Sequence, residues 1–320
     1  MADVKFYSIS IADDGFATFS LVHVLPQKTA VSVNARHDFN DVGYFELDFF
    51  DDELCAKLRD TPELLVVWDD FQGFTTGYTF AGKKKKVFGL GLNGLLMREV
   101  INDLSQPAAA DVETLLYDKI SDMKNAGKML WLTLRQAKGC FTAQVNFYKE
   151  TCVRADTWVQ ELLACDNAGY RISADIAHGG FTLEVLPRKE STLIVSESNR
   201  NAYDITINYD GKTCMTGGWY KDADGTWHYV QSGDATGVRT RDAVLSANTE
   251  SDALNEIAAS AATEEVSMQT ARIKFLEDYN LGDIVRVQTV YGTQQKVVRS
   301  VFVSSEGANR IERPEFEEAS

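Results

Sequence analysis

An α+β fold dominated by strands, with β-barrel-like domains and a smaller α/β insertion, is predicted for this chain by three features of its 320 residues. Apolar and polar residues alternate in short runs over roughly the first ninety residues and again beyond about residue 190. Helical spacing of apolar residues is concentrated between those two regions. Asp-Gly and Gly-Gly pairs and other glycine-containing turns punctuate the strand-like runs. With 44% hydrophobic residues the chain can bury a substantial core, and its length suits two or three packed modules. The expected division is a β-rich barrel domain over 1–90, completed by 191–215, an α/β insertion over 91–190, and a second β-rich barrel region with one helix over 191–320.

The opening strands are VKFYSISI and FATFSLVHVL, followed by AVSVNARHDF and GYFELDFF joined across Asn40 to Gly43. A short helix over Glu53 to Arg59 stops before Pro62. LLVVWDDF and FTTGYTF give two more strands, and Lys83 to Lys86 form a hairpin tip with a solvated charge run. LNGLLMREV then has a helical texture. After Pro107, DVETLLYDKISDMK places Val112, Leu115, Leu116 and Ile120 on one face, with Asp111 as N-cap and Gly127 as stop.

A further helix is predicted to begin at Thr157, where Thr157 and Gln160 form a capping box. It would bury Trp158, Leu162 and Leu163 and end near Gly169. Tyr170, Ile172, Ala174 and Ile176 then share one face of a hairpin that turns at His178 to Gly180 and returns as FTLEVLP. Beyond it, STLIVSES, YDITINYDG, GGWY and TWHYV are strands, Asp252 to Ala262 an amphipathic helix, and VSMQTARIKF, LGDIVRVQTV and QKVVRSVFV strands again. The end, GANRIERPEFEEAS, is expected to be loose and acidic. No repeat of fixed period is evident.

Composition excludes several functions. Five widely spaced cysteines (Cys55, Cys140, Cys152, Cys165 and Cys214) include no CxxC pair, which predicts reduced, mostly buried thiols rather than a disulfide framework or zinc site. The four histidines (His23, His37, His178 and His228) lack ligand spacing and are expected at the surface or in turns. A formal charge of −15 disfavours nucleic-acid binding, which needs clustered cations to displace counterions. No run approaches the roughly 20 apolar residues of a membrane span, and MADVKFYSIS lacks a secretory pattern, so the chain is expected to be made and used without export.

Three strings imitate chemical motifs. GLGLNG (Gly89, Gly91, Gly94) matches a dinucleotide fingerprint, but no buried strand and βαβ unit frame it, so a strand-to-helix junction is expected. GYTFAGK lacks the final Ser or Thr of a phosphate-binding loop, its place being taken by Lys84. DADG at Asp222 to Gly225 fails the calcium-hand pattern and is expected to be a hairpin turn. No nucleophile is set beside a base. Catalytic, cofactor-binding and metal-ligating residues are therefore all expected to be absent.

Three stretches in order resemble the tail hub (baseplate hub) family of long-tailed bacteriophages, in its siphophage branch. RHDFNDVGYFELDF, with Gly43, resembles the family's opening hairpin; FGLGLNGLLMREV, with Gly91, Gly94, Leu95, Leu96 and Arg98, resembles the element that follows. YNLGDIVRVQ, with Tyr279, Leu281, Gly282, Asp283 and Val285, resembles the start of a C-terminal strand. A fourth stretch, LIVSESNRNAYDITINYDGKTC, is similar to a middle segment, with Val195 in place of Phe before Ser196. Gly282 suits a corner that needs positive φ, and Asp283 can hydrogen-bond the turned backbone.

The resemblance implies a non-enzymatic structural subunit that forms a homotrimeric ring in the virion tail, assembled in the bacterial host cytoplasm and joining a six-fold tube to a three-fold tip. Its implied structural residues are Gly43, Gly91, Leu96, Arg98, Leu281, Gly282 and Asp283. Implied partners are the tail tube or distal tail protein, the tape-measure protein, and a spike, fibre or receptor-binding assembly, with DNA passing through the ring and no membrane contact. The alternative from another class is an extracytoplasmic carbohydrate-binding or carbohydrate-active β protein, suggested by Trp219, Tyr220, Trp227 and Tyr229 near a hairpin.

Overall fold

The computed structural model of the chain describes residues 3–26, 30–101, 107–135, 140–148, 152–210, 214–233, 240–260, 263–306 and 309–319. Two hairpins open the fold: β1 (Val4–Ile11) with β2 (Ala17–Leu25), and β3 (Ala30–Asp38) with β4 (Tyr44–Phe49). Helix α1 (Asp52–Asp60) precedes β5 (Leu65–Trp68), β6 (Phe71–Ala81) and β7 (Lys84–Gly91). A 3-10 helix (Leu92–Arg98) leads into β8 (Val100–Ile101), α2 (Val112–Asn125), β9 (Leu132–Arg135), β10 (Val153–Arg154), α3 (Ala155–Ala164), β11 (Gly169–Ala174) and β12 (Phe181–Leu186). The remaining elements are β13 (Lys189–Val195), β14 (Ala202–Asp210), β15 (Gly217–Lys221), β16 (Trp227–Gln231), β17 (Asp242–Val244), α4 (Glu250–Ala259), β18 (Thr263–Thr270), β19 (Asp283–Thr289), β20 (Gly292–Glu306) and β21 (Asn309–Glu318).

The chain divides into two compact units, Met1–Ile205 with Met268–Ser320, and Thr206–Ser267. Thirteen strands form one sheet whose main path runs β14-β18-β21-β20-β3-β4-β7-β6-β5-β1-β2, with β13 and β19 branching from β20. The hinge of this topology is β20. Its first part, Gly292–Val297, pairs with β19 and its later part, Ser300–Glu306, with β3, while β21 runs along its other edge. Among the described residues the path ends at β2 and β14 without closing, so the expected barrels are open, joined through one shared strand. β13 lies beside β19, on the same edge of β20 as β3, whereas β18 and β14 follow β21 on the opposite edge.

Within the first unit, β9, β11 and β12 form a small separate sheet, with β12 parallel to β9 and antiparallel to β11. Its core gathers α2, α3 and the 3-10 helix through Leu92, Leu96, Leu116, Ile120, Trp158 and Leu162. The face predicted for α2 is the buried one, and Asp111 caps it by accepting from the Thr114 N–H at 2.9 Å. The hairpin of β11 and β12 alternates as predicted, with Tyr170, Ile172 and Ala174 buried; Ile176 falls in the turn.

Several expectations are corrected. α3 begins at Ala155 rather than Thr157: Arg154 caps it without a side-chain bond and instead grips Asp156 through Nε at 3.0 Å and Nη2 at 2.7 Å. The pairing of β10 with β8 fixes the chain just before that point, and no capping box forms. LNGLLMR winds as 3-10 rather than α-helix. α4 starts earlier than Asp252, at Glu250, because the Thr249 hydroxyl caps it by accepting from the Asp252 N–H at 3.2 Å; residues 261–262 of the predicted helix lie outside the described residues.

The C-terminal segment is not loose: β21 lies inside the sheet between β20 and β18, burying Glu312, Pro314 and Phe316 at alternate positions. Cys140, Cys152 and Cys165 are exposed rather than buried. His23 points inward rather than into solvent, with its ring 3.2 Å from Asp51. The lysine run is paired rather than simply solvated, with Lys84 at 3.3 Å from Asp48, Lys85 at 2.5 Å from Asp52 and Lys86 at 2.7 Å from Glu46.

Candidate functional site

The motif segments that lie far apart in sequence converge on the loop between β3 and β4. Gly43 turns this loop with φ of +68°, and a Cβ there would sit 2.6 Å from the Arg36 carbonyl oxygen. The Gly91 N–H donates to the Gly43 carbonyl at 3.2 Å, which ties the loop to the end of β7. GLGLNG is thus a strand running into a 3-10 helix rather than a phosphate loop: Gly89 pairs with Phe45 and Thr75 and Gly91 with Gly73, and the 3-10 helix begins at Leu92. A Cβ at Gly89 would lie 2.0 Å from the Phe74 carbonyl oxygen, so this glycine serves close backbone approach.

Phe39 is the pivot of the junction. Its N–H donates to the Arg299 carbonyl on β20 at 2.9 Å, and its carbonyl accepts from the Tyr170 N–H on β11 at 3.0 Å. Its ring lies against two glycines: a Cβ at Gly169 would come within 2.5 Å of it and one at Gly282 within 2.3 Å. Gly282 has φ of +81°, donates to the Val298 carbonyl at 2.9 Å and accepts from the Lys189 N–H at 3.2 Å. Next to it, Asp283 accepts from the Asn280 N–H at 2.8 Å, the turn-closing bond expected of it. Burial pushes the Asp283 carboxyl above its ordinary range, opposed by that N–H.

Asn93 fastens the loop to the small sheet. Its Nδ2 donates to the Asp41 carbonyl at 2.9 Å and the Tyr170 carbonyl at 3.2 Å, and its Oδ1 accepts from the Ile172 N–H at 2.8 Å. Gln72 makes a parallel fastening on Ala174, donating to its carbonyl at 3.1 Å and accepting from its N–H at 2.8 Å. Neither residue stands out in the sequence, because an amide side chain announces nothing about partners that are 52 to 102 residues away. Leu96 is buried in the same core, whereas Arg98 stands apart, donating to Glu63 at 2.8 Å with its guanidinium 4.5 Å from the centre of the Phe74 ring.

A cleft of about 360 Å³ opens beside the junction, reached by Gly43, Gly91 and Leu281 and by the charged Arg36, Asp38 and Arg171. These charges are paired: Arg36 with Asp38 at 2.9 Å and Glu315 at 3.0 Å, and Arg171 with Glu184 at 2.8 Å. His37 also lines the cleft, half-buried and not in a surface turn, with its ring packed on Phe71 at 5.3 Å and Phe275 at 4.9 Å. Burial, reinforced by Arg310 and Arg171, pushes its pKa down to about 3, a poor value for proton transfer at neutral pH. Among the described residues no group of three His, Cys, Asp or Glu is placed to hold a metal ion. The arrangement is one that fixes backbone segments to one another.

No family model matches the sequence, and no curated protein matches it in sequence. In fold, the chain is similar to the 43 kDa tail protein of prophage MuSo2 from Shewanella oneidensis, at 11% identity and a TM-score of 0.54 over 99% of this chain and 98% of that one. A tail protein from Neisseria meningitidis MC58 matches at 12% identity and a TM-score of 0.53, covering 100% of this chain and 97% of that one. Prophage tail protein gp18 from Listeria monocytogenes EGD-e matches at 12% identity and a TM-score of 0.51, covering 100% and 96%. At these identities the shared property is the fold, a β-rich architecture with helical insertions.

Proposed function

We propose that this chain is a structural, non-enzymatic subunit of a phage or phage-like tail tip or baseplate, in which three copies close into a hub ring between the six-fold tail tube and the three-fold tip. The observation that carries the reading is the end-to-end likeness of fold to tail proteins of similar length from three bacterial sources. Its partners are then the tube or distal tail protein above, the tape-measure protein within, and a spike, fibre or receptor-binding assembly below. The ring works in the virion tail, having been assembled in the host cytoplasm.

Physical features of the first unit support such an assembly. Among the described residues β2, nine residues long, forms one end of the sheet, and the hairpin it makes with β1 exposes Ile11, Phe16 and Leu21. Apolar residues exposed on a hairpin at the end of a sheet offer a surface that a neighbouring chain can cover. Contacts of different patches on successive copies generate a ring when the rotation closes, here after three steps. The formal charge of −15 suits a lumen that lets DNA slide past without holding it.

The test is to decorate intact tails with gold-conjugated antibody raised against the chain and image them. Label confined to the tip is expected; label spread along the tube, or on the capsid alone, contradicts the reading.

A further inference from the structure

The second unit carries a surface that the hub reading does not use. Its three strands pair β16-β15-β17, and one face is closed by α4, where Tyr220, Val230 and Leu245 pack on Ala253 and Ile257. The opposite face presents large rings: Trp219 is 47% exposed, Trp227 50% and Tyr229 37%, flanked by Val244 at 75%. Register makes this a contiguous patch, with Trp219 opposite Tyr229 and Val244, and Lys221 opposite Trp227. We infer that this aromatic face binds an uncharged oligosaccharide, whose pyranose rings lie on Trp219, Tyr229 and Trp227.

The rings are held in place by polar neighbours rather than by the core. The Tyr229 hydroxyl donates to Asp242 Oδ1 at 3.0 Å, and Lys221 Nζ lies 5.9 Å from the centre of the Trp227 ring. The Trp219 and Tyr229 rings are 5.3 Å apart and tilted by 55°. Gly217 makes room for this geometry, since a Cβ there would lie 2.5 Å from the Tyr229 hydroxyl and 2.9 Å from Asp242 Oδ1. A sugar ring offers an apolar C–H face to an aromatic ring and hydroxyls at its rim to flanking donors and acceptors. Lys221 beside Trp227, and the Tyr229 hydroxyl with Asp242 at the other end of the patch, supply such groups.

Size and charge choose among occupants. Three strands of five residues or fewer at ~4.8 Å spacing and ~3.3 Å rise span about 230 Å², well short of the roughly 800 Å² that each partner gives to a stable protein interface. Two or three sugar rings fit that area. The segment 206–267 holds ten acidic against four basic residues, so phosphate- or carboxylate-bearing glycans are repelled.

The experiment uses the full chain on an array of uncharged and anionic oligosaccharides, with hits measured by tryptophan emission and calorimetry. Expected is retention of at least one uncharged oligosaccharide and no anionic one. Trp219→Ala and Trp227→Ala should each weaken binding about tenfold, the loss of one stacking contact, while Trp219→Tyr stays within about threefold. Because these rings are exposed, melting temperature should be unchanged in all three variants. Retention of no uncharged glycan, or binding that survives both alanine substitutions, overturns the inference, as does the face capturing a tail protein instead. The hub assignment stands or falls separately, since tip labelling of tails does not depend on glycan binding.

Discussion

Replacing Gly282 by alanine is expected to destabilise the fold by about 4 kcal/mol or more, the range of the most damaging single substitutions. Two independent faults add. The residue holds φ of +81°, where an L side chain is strained by roughly 1–2 kcal/mol, and the new Cβ would lie 2.3 Å from the Phe39 ring. That ring has little room to retreat. Phe39 is fastened at its N–H to β20 and at its carbonyl to β11, and Gly169 limits it as well, with its own Cβ position 2.2 Å from the Phe39 carbonyl oxygen. Urea unfolding of the single variants and of the Phe39→Ala, Gly282→Ala pair checks the account: the second substitution should cost less once the ring is gone, because residues in contact are not additive. A Gly282→Ala loss under about 1 kcal/mol would show the corner to be adaptable.

Stability should also fall as the medium is acidified, through His37. Its folded pKa lies near 3 and its unfolded value near 6.5, so between those limits the unfolded chain binds a proton that the folded chain does not. The contribution is fully present above about pH 6.5 and is lost as pH falls toward 3. The shift corresponds to about 3 kcal/mol once partial exposure of the ring is allowed for. Protonation would place a cation beside Arg171 and Arg310 and against two phenylalanine rings. His37→Phe should flatten the stability profile between pH 7 and 4 relative to the parent; parallel profiles for the two proteins would exclude His37 as the source.

The strands are legible because period-two alternation survives in single sequences, as in Phe45, Leu47 and Phe49, all buried on β4. The same signal is present in β21 but hidden by charge. Glu312 is buried because the Phe275 N–H donates to it at 2.8 Å and Arg310 Nε at 3.0 Å, and neither bond can be inferred from a run of Glu and Arg. Burial, joined by the neighbouring Glu312 carboxylate, raises the Tyr279 hydroxyl above its ordinary pKa. The start of α3 escapes the sequence for a related reason: a favourable cap at Thr157 loses to an Arg154 to Asp156 contact and to strand pairing just upstream.

Of the seven motif residues, Gly43, Gly91, Gly282 and Asp283 fall at the corners where strands are tied together, and Leu281 at the cleft beside them. Sequence can mark the glycines but not what each accommodates, the Phe39 ring at Gly282 and backbone carbonyls at Gly43 and Gly91, nor the Asn93 and Gln72 amides that complete the junction. These depend on pairings across β3, β11 and β20 that no local pattern encodes.

The most direct test of the hub assignment is the native mass of the purified chain, alone and mixed with the adjoining tube or distal tail protein, by light scattering across a concentration series. A closed ring of three times the 35.6 kDa chain, with three-fold symmetry in images of the same sample, is the predicted result. A chain that remains monomeric at every concentration and in the presence of its neighbours would contradict it.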